Sequence, residues 1–373
     1  MKSLIKGLMA SVFTLALALG FYVVSTPAET TYTPCGGTTT IVKNLVVDSD
    51  ANIPNVEFDF QIRRGSTVAA TATTLEILNS STGGSSIGSA QFSNSDTAST
   101  IPGLPSDADP NNPTAGKKYA QKSVTVTFQP NTFTRPGVYR YAIEETDNHL
   151  PGVTYDSNAM RYLDVFVVTD ANNVLSVDSY VLRDEATNIN KDGEYVTNPD
   201  VKSSGYTNTL TQHDFSFNKT ITGNQGDKNK RFTFTLSISG ANPGVYPLVT
   251  NDVTGDPTYI TVENNGTVTT TFSLTNGSSL QVLGLNQGAV CSVSEAEQDY
   301  TASYILDSGS TVSGNSTGNI TLANSDHEVA FTNRRDGIIP TGIIIAIAPY
   351  AIGILLIGAI AIFAISRKRR AAY

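Results

Sequence analysis

Two lysines occupy positions that the surrounding pattern reserves for apolar side chains. In Ile41-Val42-Lys43-Asn44-Leu45, Lys43 alternates in phase with Ile41 and Leu45, and Lys219 is likewise in phase with Phe215, Phe217 and Ile221. Successive side chains of a strand point to opposite faces, so both lysines face inward. An isolated ammonium there is costly, and each lysine must find an acidic partner or lose its proton. Acids in inward phase occur in both halves of the chain: Glu145 shares a face with Tyr139, Tyr141 and Ile143, and Glu295 with Cys291 and Val293. Each half then closes on an inward amide, Asn208 in Tyr206-Thr207-Asn208-Thr209-Leu210 and Asn333 in Val329-Ala330-Phe331-Thr332-Asn333. The order Lys, Glu, Asn therefore occurs twice. Burial lowers a lysine pKa and raises a glutamate pKa, so proton transfer within such a pair leaves a neutral amine beside a protonated acid. The plainer alternative is a pair of lysines with glutamate partners next to ordinary hydrogen-bonded asparagines.

The elements that must hold these side chains read as β throughout. Short alternating runs such as Val124-Thr125-Val126-Thr127-Phe128 and Leu163-Asp164-Val165-Phe166-Val167 are bounded by Gly, Pro, Asn or Asp, and no internal segment sustains a 3.6-residue apolar period. Asn265-Gly266 and Asn276-Gly277 sit between such runs as hairpin signals. About 310 residues lie between the two apolar ends, room for two domains of ordinary size. The expectation is an all-β protein of two tandem β-sandwiches, residues 39–210 and 211–336. The Ser/Gly/Thr/Pro-rich stretch from Asn79 to Pro113 reads as a long surface excursion of the first.

Both ends carry transport signals. Lys2 and Lys6 precede an apolar run from Leu8 to Val24, and Thr26-Pro27-Ala28 offers small residues for cleavage, so residues 1–28 read as a secretory signal. From Ile343 to Ile365 there are 23 residues without a charge, enough at about 1.5 Å per residue to cross a hydrocarbon core of roughly 30 Å. Arg367, Lys368, Arg369 and Arg370 follow in the tail 366–373 and keep it cytoplasmic. Taking the two signal lysines and these four cations from 24 Lys+Arg leaves 18 against 33 Asp+Glu, about −15 for the mature ectodomain. That charge excludes a basic nucleic-acid footprint. Cys35, in a Gly/Thr-rich lead-in, reads as a free thiol, and Cys291 as a buried small hydrophobe rather than half of a disulfide.

Taken together, VKNLVVDSDANIPNVEFDFQI, RPGVYRYAIEET, PGVTYD, GYTNTL and FTNRRDGIIPTG resemble the backbone pilins of Gram-positive bacteria, specifically the streptococcal T-antigen type, over roughly residues 39–342. The resemblance implies immunoglobulin-like domains whose first and last strands are joined by an intramolecular isopeptide bond. Carried over by motif, the pairs are Lys43 with Asn208, assisted by Glu145, and Lys219 with Asn333, assisted by Glu295. In such a reaction the protonated acid donates to the Asn carbonyl oxygen, the amine attacks the carbon and ammonia leaves, once per site.

Ile338-Ile339-Pro340-Thr341-Gly342, in the segment 337–342 ahead of the apolar run and basic tail, resembles a sortase sorting signal in which the enzyme cysteine attacks Thr341 and expels Gly342. Ile339 stands where the commonest form of the motif has proline. The resemblance also implies an acceptor lysine shortly before the first domain's last strand; Lys202 is nearest, with Lys191 in reserve. The implied partners are a sortase, further copies of the chain, minor pilins and a host surface ligand. The implied location is a pilus attached to the cell wall, with a membrane-held precursor. A monomeric wall-anchored adhesin or minor pilin using the same domains as a stalk is the alternative.

No enzyme site, cofactor or metal site is expected. Gly84-Ser85-Ser86-Ile87-Gly88 matches a hydrolase elbow but lies in a Ser/Gly tract without a following helix, and His149, His213 and His327 lack metal-ligand spacing. Asp48-Ser49-Asp50 and Asp107-Ala108-Asp109 read as solvated turns rather than calcium ligands.

Overall fold

Alternation of apolar and polar residues makes each strand two-faced, and the apolar faces are buried by stacking two sheets. The computed structural model describes residues 30–97, 99–100, 116–197, 202–252, 257–296, 299–337 and 350–362. They form two compact units: one holds the chain up to Ser49 with Asn55–Leu210, the other Asp50–Pro54 with the chain from Thr211.

In the first unit, one sheet runs in the order Val153–Thr154, Tyr206–Leu210, Cys35–Asp48, Lys117–Phe133, Ser85–Ile87, and the other in the order Leu175–Arg183, Met160–Thr169, Gly137–Glu145, Phe60–Arg64. The second unit repeats the plan. Its larger sheet places Gln212–Thr222 between Ser279–Asn286 and His327–Arg334; its smaller one is built from Val268–Leu274, Phe232–Ser239, Val290–Glu295 and Ile320–Thr321. Phe217, Phe234, Phe272, Leu280, Val293 and Phe331 fill the space between these sheets.

The opening and closing strands of each unit are neighbours and parallel. Lys43 lies opposite Tyr206 and Leu45 opposite Asn208. Lys219 lies opposite Phe331 and Ile221 opposite Asn333. Glycine permits the close approach at one end of each pairing. At Gly205 φ is +112° and a Cβ would meet Val42 O at 2.1 Å; at Gly223 φ is +90° and a Cβ would meet Arg335 O at 2.1 Å.

Several expectations change. Asn265-Gly266 and Asn276-Gly277 do make tight turns, with Gly266 at φ +75° and Gly277 at +82°. However, they join strands of different sheets and are not hairpins, because an Asn-Gly turn reverses the chain without choosing its pairing partner. The Asn79–Pro113 stretch is not wholly a surface excursion. Ser85–Ile87 and Ser99–Thr100 pair with Lys117–Phe133, Ala90–Phe92 pairs with Val56–Phe58, and Ala90 and Phe92 are buried; residues 101–115 lie outside the described residues. The Gly/Thr-rich lead-in is the start of a strand whose first residue is Cys35, and both cysteines are free, with Cys291 buried. Of the expected span 343–365, residues 350–362 are described and are helical, and the rest lies outside the described residues. Among the described residues no helix is long and apolar enough to cross a membrane.

Candidate functional site

Each unit brings its lysine, glutamate and asparagine together in the core. Lysine and asparagine come from adjacent parallel strands, the asparagine two residues beyond the residue opposite the lysine in both units. Residues in that diagonal relation share a face and are within reach of a long side chain. The glutamate comes from the facing sheet, where Glu145 pairs with Phe60 and Glu295 with Phe234. The acid therefore meets the amine and the amide from across the sandwich.

In the first site Lys43 Nζ is 2.5 Å from Glu145 Oε1, and Asn208 Nδ2 donates to that same oxygen at 3.0 Å. In the second, Lys219 Nζ donates to Glu295 Oε1 at 2.8 Å and Oε2 at 3.0 Å, while Asn333 Nδ2 donates to Oε1 at 2.5 Å. One carboxylate oxygen thus bridges the two nitrogens in both sites. Lys43, Asn208 and Lys219 are 0% exposed, and Glu145, Glu295 and Asn333 no more than 4%. Burial pushes each lysine down to about 8 from 10.5, with the nearby glutamate pulling the other way. Burial likewise raises Glu145 and Glu295, against the pull of their lysines. A pair of this kind shares one proton readily, because water no longer favours the separated charges.

The arrangement departs from sequence-based expectation in one respect. Each carboxylate addresses the amide nitrogen rather than the carbonyl oxygen, so the acid is placed to receive a proton from the lysine and deliver it to the departing nitrogen. The oxygens are treated differently in the two sites. Asn208 Oδ1 accepts from the Asp156 backbone N–H at 2.9 Å, whereas Asn333 Oδ1 has no hydrogen-bond partner among the described residues.

Sequence reasoning missed the rings beneath the amines. Lys43 Nζ lies 4.6 Å from the ring centroid of Phe58, and Lys219 Nζ 4.2 Å from that of Phe232. These aromatic faces stabilise the cation and exclude water from it. The signal was present in the repeated Phe58-Asp59-Phe60 and Phe232-Thr233-Phe234 runs, which place each ring two residues before the partner of the glutamate. Also missed was a buried pair on the outer face of the first unit. Arg140 donates to Asp164 through Nε at 2.7 Å and Nη2 at 2.8 Å, and Tyr195 and the Thr187 carbonyl complete the cluster. Tyr195 and Thr187 belong to the loop that carries Lys191.

Lys191 and Lys202 are both exposed and outside the buried site. The Ser203 N–H, next to Lys202, donates to the Leu182 carbonyl at 2.9 Å. Thr341 and Gly342 lie outside the described residues, as does the signal segment. Ser85–Ile87 is a strand paired with Lys117–Phe133, so Gly84–Gly88 is not a strand-to-helix elbow. No group of three or more metal-ligating side chains occurs among the described residues.

Residues 39–211 match the family described as the Spy0128-like isopeptide containing domain, and residues 213–335 match a domain of unknown function, DUF7601. The chain is 26% identical over 360 residues to a curated protein called Pilin from Streptococcus pyogenes serotype M1, covering 89% of this chain and 91% of the relative. Among solved structures, the major pilin T-13 of S. pyogenes serotype GAS131465 superposes with a TM-score of 0.51 at 21% identity, over 82% of this chain and all of the other. The major pilin T3.2 of serotype GAS13637 gives 0.50 at 20% identity, over 80% of this chain and all of the other. Those two likenesses concern the fold.

Tandem all-β units matched in this way define a structural subunit of a cell-surface pilus. More narrowly, its first domain is similar to the Spy0128-like isopeptide containing domain, and the chain as a whole to a streptococcal pilin.

Proposed function

We propose that the chain is the covalently polymerised shaft subunit of a wall-attached pilus, each domain locked by an autocatalytic isopeptide bond, Lys43 to Asn208 and Lys219 to Asn333. The observation that carries this reading is the shared carboxylate oxygen that touches both the amine and the amide nitrogen in each buried site. A stabilising ion pair alone does not require an amide to occupy the same place twice, at the same diagonal offset, between the opening and closing strands. Tension applied along a pilus enters a domain at its opening strand and leaves it at its closing strand, so a bond between them carries the load covalently. Glu145 and Glu295 act once per site, and the chain turns over no external substrate.

Polymerisation adds a second kind of amide. Sortase forms a thioester with Thr341 and releases Gly342 with the apolar tail; a lysine of another copy then resolves the thioester. Lys202 is assigned that role for its exposure and its place just before the closing strand, with Lys191 the reserve. The precursor is held by residues 343–365 until cleavage, and minor pilins and a host ligand are the further partners. The domains are residues 39–210 and 211–336.

Intact-mass measurement of the ectodomain tests the internal bonds. The expected mass is below the sequence mass by two ammonia molecules. Glu145→Ala removes only the first loss and Glu295→Ala only the second, because each acid serves its own apolar site. A mass equal to the sequence overturns the proposal.

A further inference from the structure

The Asp156 backbone N–H on Asn208 Oδ1 is one of several contacts by which this residue holds the closing strand. Its carboxylate Oδ2 accepts the Thr207 backbone N–H at 3.0 Å and also meets Arg161 Nη2 at 3.0 Å. Arg161 is buried, its guanidinium lies 4.9 Å from the ring centroid of Tyr206, and its Nε donates to Ser203 Oγ at 2.8 Å. Three consecutive residues of the closing strand, Tyr206, Thr207 and Asn208, are thus gripped from one side by Asp156 and Arg161.

The consequence for the amide is orientation. With Oδ1 on a backbone donor and Nδ2 on a carboxylate, rotating the amide by half a turn would set donor against donor and acceptor against acceptor. The carbonyl is therefore held where its oxygen meets an N–H, the arrangement that stabilises charge developing on that oxygen. Asn333 Oδ1 has no comparable partner among the described residues.

We propose that Asp156 is a further residue of the first site: its N–H is the oxyanion donor for Asn208, and its side chain, braced by Arg161, is the positioning group for the closing strand. The inference rests on the Lys43–Asn208 bond proposed above. After Lys43 passes a proton to Glu145, the Nζ lone pair forms the bond to Asn208 Cγ, and the carbonyl π pair moves onto Oδ1 against the Asp156 N–H. The pair then returns and the Cγ–Nδ2 bond breaks. Glu145 gives its proton to Nδ2 and takes one from Nζ, so one ammonia leaves, one amide remains, and nothing is oxidised or reduced.

The test uses the full chain recovered unfolded from inclusion bodies, refolded over a range of pH and digested at intervals. Mass spectrometry follows the Lys43–Asn208 and Lys219–Asn333 linked peptides. Asp156→Asn keeps the size and backbone of the residue but removes its charge and one acceptor. It is expected to slow the first linkage about tenfold or more while the second, in the same molecules, keeps its rate. The negative charge of Asp156 raises both Lys43 and Glu145, so its removal moves the pH optimum of the first linkage downward. An unchanged rate overturns the proposal, and so does a slower rate with an unshifted optimum, the mark of general loosening.

Hydrogen exchange in the Met160–Thr169 strand reports whether the first unit has folded. Should Asp156→Asn fail that check, Asp156→Glu takes its place: with charge kept and reach altered, the first linkage slows while hydrogen exchange in that strand stays parental, and either a parental rate or a slower rate with faster exchange overturns the proposal. A parent chain that folds yet never yields the Lys43–Asn208 peptide overturns the bond itself, and this inference with it.

Discussion

Replacing Lys219 with methionine isolates the mechanical and thermodynamic contribution of the second proposed bond, Lys219 to Asn333. The side chain is 0% exposed and lies against Phe232 and Phe234, so an apolar residue of similar length fits the space. Glu295, raised by burial, is left beside Asn333 and can remain protonated, which limits the penalty of a stranded charge. What is lost is the bond. It closes a loop of about 114 residues, and the chain-entropy relation for a cross-link of that size gives about 5 kcal/mol. A unit of about 120 residues unfolds with an entropy near 0.25 kcal/mol/K, so the transition of the second unit should fall by about 20 °C. Differential scanning calorimetry of the ectodomain should show that fall, with the transition of the first unit in place. Trypsin should then cut the second unit at temperatures where the parent resists. A shift of only a few degrees, in a protein whose parent has lost two ammonia molecules, would refute the argument that the bond stabilises by closing this loop.

The rate of bond formation during refolding should be bell-shaped in pH. Reaction needs one proton shared by lysine and glutamate, so it fails at low pH where both are protonated and declines above about 8, where the lysine has lost its proton and the glutamate is ionised; a rate that climbs steadily through pH 10 contradicts this. Lys202→Arg keeps the charge but stays protonated, so it should abolish the polymer ladder in denaturing gels of wall extracts while monomer still reaches the wall. A ladder that persists there and disappears in Lys191→Arg moves the acceptor to Lys191, and no ladder in a host with its own sortases removes the polymer reading. Thr341→Ala should block both ladder and wall attachment, checked by fractionating cells into wall and membrane. Arg140→Ala strands the buried Asp164 carboxylate and should cost the first unit about 3–5 kcal/mol in a denaturant titration, with the second unit unaffected.

Much of this protein is legible in one dimension because a strand has a period of two. Lys43, Glu145, Asn208, Lys219, Glu295 and Asn333 all announce themselves as polar residues in apolar phase, and the structure buries all six. The same alternation establishes the all-β class, since phase depends only on neighbours in the chain. Pairing does not. Asn265-Gly266 and Asn276-Gly277 specify sharp turns, but only the closing of two sheets over Phe217, Phe234 and Phe331 decides that each turn passes the chain between sheets. The stretch after Asn79 looks soluble by composition, yet the long Lys117–Phe133 strand offers an edge that captures parts of it as strands. The site shows the same division. The sequence determined which groups are brought together in the proposed reaction, because burial of an amine, an acid and an amide follows from phase. Which way the amide faces, which carboxylate oxygen bridges the nitrogens, and that Asp156, braced by Arg161, holds Asn208 depend on contacts between residues far apart in the chain, Asp156 and Asn208 by 52 positions; such distances and angles exist only once the sheets have packed.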